Sequence, residues 1–488
     1  MLLASILLIP LLASVLVLFF ASRRAATLLA LAAGILEIIA LALTAWRVAK
    51  DGSLHLGRYL RADALTTFFL LNAGLVFFLV LLYSTSYIRH IPLGRFSSPR
   101  WFYSFLFLFL FSIVAVYLAN NLGFLWIMME ATTLASALLV GFYNTEGAVE
   151  AGWKYLIVCT VGLAFALFGT IVIYVAAVHA GLKPEEALQW PVLAQAGALL
   201  AGGSHTLLKL GFIFLVVGYG TKIGLVPMHS WLPDAHAEAP SPVSAMLSAA
   251  LLNCAVYALV RYDAIIVHAI GPVFSHRILI FFGLASVLVA GLLMIVQQDM
   301  KRLLAYSSVE HMGIIATGLG IGGFFGLYGA LLHTFTHSMA KSLLFFSAGR
   351  VRETVGTSRM VTIKGLARRL PWTSAALVTG LVAIVGLPPF GLFVSEFSIL
   401  RETFGQMHWF TGIVLLVMLV VVFAAMVFHA LRVLPGTPEQ LVTEAGRKDG
   451  RGPEFLAMGI CAVVLLAFGV TVPLAFSLWL KAAMAVLQ

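Results

Sequence analysis

Four ionisable side chains occur where the sequence is otherwise apolar enough to cross a membrane: Glu130, Lys222, Lys341 and Glu396. A charge at the centre of a bilayer costs at least about 2.5–3.5 kcal/mol on insertion scales, so such residues are normally kept for an ion or proton path. Lys222 and Glu396 also lie beside glycine and proline interruptions, at 224–227 and 386–391. Paired interruptions in the two halves of a membrane protein are typical of a transport site. The sequence therefore predicts ion translocation.

A second set of candidates lies on one predicted helix. His333, His337 and Lys341 follow the spacing i, i+4, i+8, which places them on one helix face. Histidine titrates near neutral pH, so this face is suited to relaying protons. The two histidines alone are also compatible with a metal site, but the sequence places no third ligand and Lys341 would repel a cation. Packed structural histidines are the other interpretation.

Further ionisable residues are weaker candidates. Glu310 and His311 lie about one third of the way along the preceding predicted helix. Glu310 takes roughly the place that Glu130 holds in the first half, as an internal inverted repeat would require. Glu37 and His429 also fall within apolar runs, where a structural role is about equally compatible with the pattern.

Bland alternatives stay open for three of these positions. Glu130 is also compatible with a structural carboxylate capped by Thr132 and Thr133. Lys222 is also compatible with a side chain that extends to the membrane surface. A third group, Asp234, His236 and Glu238, could feed protons inward, but the favoured interpretation is a solvated cytoplasmic turn.

The composition excludes a soluble globular protein. Of 488 residues, 61% are hydrophobic and 10% are charged, whereas soluble domains carry roughly 25% charged residues. About fourteen apolar runs are each long enough to cross about 30 Å of hydrocarbon. They lie near 2–22, 26–46, 64–87, 102–119, 121–142, 154–179, 206–228, 240–261, 277–297, 302–320, 324–349, 371–400, 409–432 and 455–480. The expected fold class is an all-α integral membrane protein.

The basic residues predict how the chain is oriented. With the N-terminus outside, one set of loops holds about twice as many lysines and arginines as the other, as the positive-inside rule expects for the cytoplasm. That set is Arg23, Arg24, Arg89, Arg95, Arg100, Lys301, Arg302, Arg350, Arg352, Arg359, Lys364, Arg368, Arg369, Arg432, Arg447, Lys448 and Arg451. The first apolar run lacks the features of a cleaved signal peptide. We therefore expect a multi-pass protein of the cell (inner) membrane with both termini outward.

Several function classes are excluded by missing motifs. The sequence has no GxxxxGK[ST] loop and no GxGxxG between a strand and a helix. Cys159, Cys254 and Cys461 are isolated, without the spacing of an iron–sulfur or zinc site. We therefore expect no cofactor, no metal and no catalytic residue, and no binding of nucleic acid. Energy for transport must come from another ion gradient or from a partner subunit.

Three motifs resemble those of the antiporter-like subunits of respiratory complex I. They are the segment 226–245, VPMHSWLPDAHAEAPSPVSA, the segment 299–308, DMKRLLAYSS, and the His333–His337–Lys341 spacing. The same family includes subunits of Mrp-type cation/proton antiporters and of membrane-bound nickel–iron hydrogenases. The segment around Glu310 and His311 looks most like the F-type subunit of formate-hydrogenlyase-type hydrogenases.

The resemblance implies an architecture and residue roles. Such subunits have fourteen helices that include two inverted five-helix repeats, with helices 7 and 12 broken. The implied divisions of this chain are 1–100 (helices 1–3), 101–262 (helices 4–8), 263–433 (helices 9–13) and 434–488 (a cytoplasmic loop and helix 14). Glu130 and Lys222 match the fifth- and seventh-helix pair, and Glu396 matches the terminal site of the twelfth helix. His333, His337 and Lys341 match the eleventh-helix relay.

The chain departs from the family pattern in the eighth helix. Members usually carry a lysine or histidine there as a central node, whereas this segment offers only Ser248 and Asn253. A neutral residue can hold water but cannot store a proton. His311 or Glu310 is the candidate for the missing step.

The leading hypothesis is a proton-translocating subunit, not catalytic alone, of a membrane-bound hydrogenase or related complex-I-like oxidoreductase. Its partners would be other membrane subunits together with peripheral nickel–iron hydrogenase and iron–sulfur subunits. One alternative is a subunit of an Mrp-type sodium/proton antiporter. Another is a membrane anchor or proton channel for a peripheral enzyme, such as a carbon-dioxide-hydrating complex.

Overall fold

Helices form nearly all of the computed structural model, which describes residues 1–20, 22–90, 98–436 and 449–488. The first helices are α1 (Leu2–Leu16), α2 (Arg23–Asp51), α3 (Ala64–Tyr87), α4 (Pro99–Leu118), α5 (Leu122–Val140), α6 (Glu146–His179), α7 (Trp190–Gln195) and α8 (Gly197–Ala201). The next are α9 (His205–Ile223), α10 (Trp231–Glu238), α11 (Ser241–Met246), α12 (Leu252–Ile270), α13 (Pro272–Ile295) and α14 (Met300–Ile321). The last are α15 (Gly323–Val355), α16 (Leu366–Arg369), α17 (Pro371–Ile384), α18 (Gly391–Gly405), α19 (Trp409–Val433), α20 (Pro453–Val470) and α21 (Leu474–Ala485).

The prediction of an all-α membrane protein is confirmed. Within the described ranges, 11 helical segments are long and apolar enough to cross a membrane. The total of fourteen spans stays a prediction. One run was placed wrongly: the segment predicted as a single helix over 455–480 divides into α20 and α21, because the backbone is extended at Thr471 and Pro473 starts a new helix.

Burial is highest in the central helices and lowest in the apolar helices that surround them. The most apolar window of Ser241–Ile270 is entirely buried, whereas those of Leu2–Phe19, Arg23–Asp51 and Trp409–Val433 are only 33–39% buried. Large apolar side chains on the outer helices face outward, such as Leu28 and Phe410. This arrangement places hydrocarbon next to lipid and polar groups next to protein.

Both predicted helix breaks are confirmed. α9 ends directly after Lys222, where Gly224 adopts the left-handed conformation (φ 84°) and its N–H bonds back to Gly220 O. The chain turns helical again at Trp231. The second break separates α17 from α18, and Gly386 within it has φ 67°. A Cβ at Gly386 would overlap the carboxylate of Glu396, so glycine is required there.

A π-helical turn at Leu247–Leu251 joins α11 to α12, at the segment where the family pattern expects a basic residue. π-turns inside α-helices are often found at functional sites. This turn packs against α15, and α12 packs against α9. The turn therefore connects the surroundings of Lys222 with those of Lys341.

A short hairpin and a buried ion pair close one end of the bundle. Strands β1 (Leu54–Leu56) and β2 (Leu60–Ala62) pair antiparallel, with Leu54 opposite Ala62. Asp63 then caps α3 and accepts hydrogen bonds of 2.7 and 2.8 Å from Arg261 of α12. Burial opposes ionisation of Asp63, but the charge and hydrogen bonds of Arg261 outweigh it and hold the pKa of Asp63 below its usual value.

Candidate functional site

Lys222 is fully buried and is held by two hydroxyl groups. Its Nζ donates hydrogen bonds of 2.8 Å each to Thr133 Oγ1 on α5 and Tyr155 OH on α6. The Tyr155 hydroxyl is also 2.6 Å from Ser136 Oγ. Full burial rules out a lysine that extends to the membrane surface. The position of Lys222 at the end of α9 follows from the break at Gly224.

Glu130 does not form an ion pair with Lys222. Its Oε1 accepts a 2.7 Å hydrogen bond from Thr160 of α6, and Oε2 has no hydrogen-bond partner among the described residues. Thr133, expected as a cap for Glu130, instead accepts from Lys222. The carboxylate and the ammonium are therefore near neighbours that are linked through α5 but are not in direct contact.

Lys341 is the second fully buried lysine. Its Nζ donates to Leu304 O at 2.8 Å and to Ser307 Oγ at 2.7 Å, both on α14. Glu310, on the same helix, is also fully buried, and its Oε2 lies 3.2 Å from Nε2 of His311. The side chains of Lys341 and Glu310 lie within electrostatic reach of each other without forming an ion pair.

Three buried imidazoles and a carboxylate lie next to this lysine. His311 Nδ1 is 3.0 Å from His333 Nε2, and His333 Nδ1 is 2.9 Å from Ser395 Oγ on α18. The ring centres of His311 and His337 are 5.4 Å apart. Glu396 follows Ser395, and its Oε1 is buried without a hydrogen-bond partner in the described part of the chain. Histidines at this spacing can pass a proton between ring nitrogens.

The structure adds two groups that the sequence alone could not place beside His333. One nitrogen of His311, one of His333 and one oxygen of Glu396 all lie within 4.8 Å of one another. Two histidines and a glutamate are a ligand set that zinc accepts. The charge of Lys341 acts on His311 and His333, however, and opposes a divalent cation there. A chain of proton donors and acceptors fits this mixed set better.

Neutral side chains lie in the region between Lys222 and Lys341. Ser248 Oγ, in the π-turn, is 2.8 Å from Ser308 Oγ. Asn253 Nδ2 and Asn72 Nδ2 each donate to Ser338 Oγ at 3.0 Å. Both amide oxygens are buried without a hydrogen-bond partner among the described residues, so they can accept from water. His311 and Glu310 are in the Lys341 cluster, so a link to Lys222 must pass these neutral groups.

The prediction of a solvated turn around Asp234, His236 and Glu238 is wrong. These residues form α10, in which His236 is fully buried and stacks on Phe345 at 5.3 Å. The interpretation as a turn gave too little weight to the apolar residues on one side of this segment. His236 lies within electrostatic reach of Lys341 and His337. Sequence reasoning therefore missed a buried imidazole of the cluster.

The DMKRLLAYSS segment explains how α10 is held. Lys301, fully buried, donates to Ala237 O and Ala239 O at the C-terminal end of α10, at 3.1 and 2.5 Å. A cation at this end complements the helix dipole. Arg302 pairs with Asp234 at 2.5 Å. The serines of the same segment, already described, contact Lys341 and Ser248, so one motif positions both α10 and the buried lysine.

Two weaker candidates lie apart from this cluster. Glu37 on α2 is 1% exposed, and neither carboxylate oxygen has a hydrogen-bond partner among the described residues. His429 on α19 lies 3.0 Å from Met294 O through Nε2. No contact of either with the histidine cluster occurs in the described ranges.

Comparisons with known proteins identify the family of the chain. Residues 119–424 match the family model described as NADH:quinone oxidoreductase/Mrp antiporter, TM. The chain is 41% identical, over 72% of its own length and 74% of the other, to a Hydrogenase-4 component F homolog of Methylacidiphilum infernorum. It is 33% identical to NADH-quinone oxidoreductase subunit N of Desulforudis audaxviator, over 63% of this chain and 59% of that protein.

The fold matches solved structures over almost the whole chain. A subunit of the membrane-bound sulfane sulfur reductase, an archaeal respiratory membrane complex, aligns with a TM-score of 0.86 at 22% identity, covering 99% of this chain and 97% of that chain. The matched family residues include both broken helices and the buried lysines. The chain therefore belongs to the NADH:quinone oxidoreductase/Mrp antiporter family and is an antiporter-like membrane subunit of the complex-I-like type.

Proposed function

We propose that this chain carries protons across the cell (inner) membrane as a subunit of a redox-driven complex. The observation that supports this most directly is the series of fully buried titratable side chains from Lys222 to Lys341 and the histidines. Burying such charges in a membrane protein is costly, so they are retained where protons or ions move. Their helices contact one another in sequence, from α5 and α6 through α9, α12 and the π-turn at Leu247–Leu251 to α15 and α18.

The proposed cycle starts at Glu130 and Lys222. A change in a partner alters the field at this pair, and Lys222 gives up a proton when Glu130 moves away from it. The proton passes the neutral groups at Ser248 and Asn253 by way of water. Lys341, the histidines and Glu310 then relay it, and Glu396 releases it on the far side.

His236 is added to this relay as a group that contacts both halves. It lies on α10, whose Trp231 packs on Tyr155, the partner of Lys222, at 4.7 Å between ring centres. The other side of α10 reaches the surroundings of Lys341 through His236. A movement of α10 would therefore change the surroundings of both Lys222 and Lys341, which supports a coupling role for this short helix.

Protons fit the cluster better than sodium ions. Hard cations such as Ca²⁺ and Mg²⁺ are bound by several oxygen ligands, and the same preference holds for Na⁺. The Lys341 region offers imidazole nitrogens and an ammonium instead. We therefore rank an Mrp-type sodium/proton antiporter below a proton pump, and an anchor for a peripheral enzyme below both.

The energy-supplying partner is proposed to be a nickel–iron hydrogenase with iron–sulfur subunits. Support comes from the name of the relative at 41% identity, Hydrogenase-4 component F homolog.

Basic residues such as Arg302 and Arg352 support a cytoplasmic position for the loops that carry them, with both termini outward. Three residues of that predicted basic set lie outside the described residues: Arg95, Arg447 and Lys448.

The divisions of the chain are part of the same proposal. The segments 101–262 and 263–433 are taken as inverted repeats because each contains one helix broken by glycine and proline, at 224–230 and 385–390. Each also contains a fully buried lysine, Lys222 or Lys341, that donates to neutral oxygens of a neighbouring helix. The segments 1–100 and 434–488 would then frame the two repeats.

One experiment separates the three candidate functions. The chain is purified from gently solubilised native membranes, its co-purifying proteins are identified by mass spectrometry, and the assembly is reconstituted in sodium-free vesicles. Proton uptake driven by the partner's electron donor, together with hydrogenase subunits, is the expected result. Proton movement that needs sodium and no electron donor would establish the antiporter instead. Electron transfer with no proton movement would leave the anchor function.

A further inference from the structure

A basic groove lies between α2, α3 and the start of α20, far along the chain from the buried lysines. Its cavity is about 600 Å³ and is lined by Arg23, Arg24 and Arg89 together with Pro453. Arg24 and Arg89 are exposed, and Arg23 is partly exposed. The three guanidinium groups therefore converge on one opening at the ends of membrane-spanning helices.

These arginines have no negative partner within the described residues. Among the described residues, the one hydrogen bond that a guanidinium group of these arginines makes runs from Arg23 Nη1 to the backbone oxygen of Arg89, at 2.8 Å. None forms an ion pair with a described carboxylate, unlike Arg47 at the other end of α2, which is 3.9 Å from Asp51. Three like charges held close together repel one another and are stabilised by an added anion.

The rest of the groove is mostly apolar, with two threonines, Thr27 and Thr85, among its lining residues. Leu28 and Leu31 of α2 and Leu82 of α3 line the wall below the arginines, and Leu28 is 67% exposed. A phosphate ion alone would neutralise the charges of the arginines, but it would make no contact with the leucine wall. A molecule with an anionic phosphate next to acyl chains complements both parts, and basic pockets between membrane helices bind such head groups.

We propose that this groove is a binding site for an anionic phospholipid, with its phosphate on the three arginines and an acyl chain along Leu28, Leu31 and Leu82. The site is independent of the proposed proton path, since none of its residues contacts the buried lysines or histidines in the described ranges. Bound lipid would fix the N-terminal helices α2 and α3 against α20, whose first residues border the groove.

The test uses the full-length chain in its native assembly, delipidated in detergent. Native mass spectrometry and thermal unfolding are recorded with phosphatidylglycerol, phosphatidylcholine or inorganic phosphate. We expect phosphatidylglycerol alone to be retained and to raise the unfolding temperature. The double variant Arg24→Gln/Arg89→Gln should weaken its binding at least about tenfold, from about 1 kcal/mol per arginine near an anionic head group.

Matched variants keep the proposal open to refutation. Arg47→Gln removes an arginine from the same helix α2 and should leave lipid retention unchanged. Arg24→Lys, which keeps the charge, should retain part of the lipid binding. It serves as the control if the double variant is poorly assembled. Equal retention of phosphatidylcholine would overturn the proposal, as would equal stabilisation by inorganic phosphate or undiminished binding in the double variant.

Discussion

Two of the fully buried lysines, Lys222 and Lys341, are held alike but in different surroundings. Each is fully buried and donates two hydrogen bonds to neutral oxygens, not to a carboxylate. The titratable groups that act on Lys222 are Glu130 and two cysteines, whereas Lys341 lies beside Glu310 and the histidines. The first region can therefore store a proton at one lysine, and the second can pass it along several groups.

The hydrogen-bond acceptors sharpen this difference. Lys222 contacts two hydroxyls, Thr133 and Tyr155, which can accept from an ammonium and can also donate to a neutral amine. Lys341 contacts the carbonyl of Leu304, which can only accept. The second acceptor at Lys341, Ser307, is also a hydroxyl, so Lys222 has two groups that can serve both protonation states and Lys341 has one. This contrast supports the proposed switch at Lys222 and the proposed relay at Lys341.

After Lys222→Ala, the largest effect is expected from Lys341→Ala. Removal of the only lysine of the relay should lower proton translocation at least about tenfold, equivalent to at least about 1.4 kcal/mol in the limiting step. Electron transfer in the partner should continue at least partly. The measurement is proton uptake into vesicles by the reconstituted complex. Lys481→Ala, an exposed lysine on α21, is the control and should pump normally.

A pair of carboxylate variants compares the two regions directly. Glu310→Gln should slow translocation about tenfold, because a fully buried group of the relay loses its proton exchange. Glu130→Gln should slow it only about threefold, since an amide oxygen still accepts from Thr160 and no direct contact with Lys222 is lost. Equal losses in the same vesicle assay would contradict the division into switch and relay.

Much of the architecture was predictable, because membrane spans are marked by apolar runs and their interruptions by glycine and proline. Runs of apolar residues gave the helices, and Gly224, Pro227 and the 386–391 segment gave both breaks. The spacing of His333, His337 and Lys341 correctly placed them on one helix, α15. The apolar pattern does not predict the division of 455–480 into two helices, because one proline in an apolar run is compatible with a continuous span.

The contacts of the site were not predictable from spacing. Which hydroxyl meets Lys222 depends on how α5, α6 and α9 pack, and no local pattern marks Thr133 or Tyr155 for that purpose. His236 was assigned to a loop because charged and proline residues surround it, yet Lys301 and Arg302 bind α10 from a distant part of the chain. The roles of the individual residues in proton transfer remain predictions.

A histidine pair tests which imidazole belongs to the chain of hydrogen bonds. His333 bridges His311 and Ser395, whereas neither ring nitrogen of His337 has a partner among the described residues. His333→Gln should slow proton uptake about fivefold and His337→Gln about twofold, as expected for loss of one positioned proton carrier. A larger loss in His337→Gln would show that the relay follows a different order.

One of the smaller changes is expected from Tyr155→Phe. This variant removes one of the two hydroxyls at Lys222 but leaves Thr133 and the ring packing on Trp231 in place. Proton uptake should fall about threefold, equivalent to about 0.65 kcal/mol, because Thr133 still accepts from Lys222. Ser307→Ala is the matched change at Lys341. If Tyr155→Phe has no effect while Ser307→Ala does, the switch assigned to Lys222 is not supported.

Proton uptake by Lys222→Ala, assayed beside Lys209→Ala, tests the central claim most directly. Both lysines lie on α9, but Lys222 is buried at the helix break and Lys209 is exposed near the other end. The account predicts that Lys222→Ala abolishes coupled pumping while partner electron transfer continues at least partly, and that Lys209→Ala pumps normally. Full pumping by Lys222→Ala in an intact complex would contradict the account.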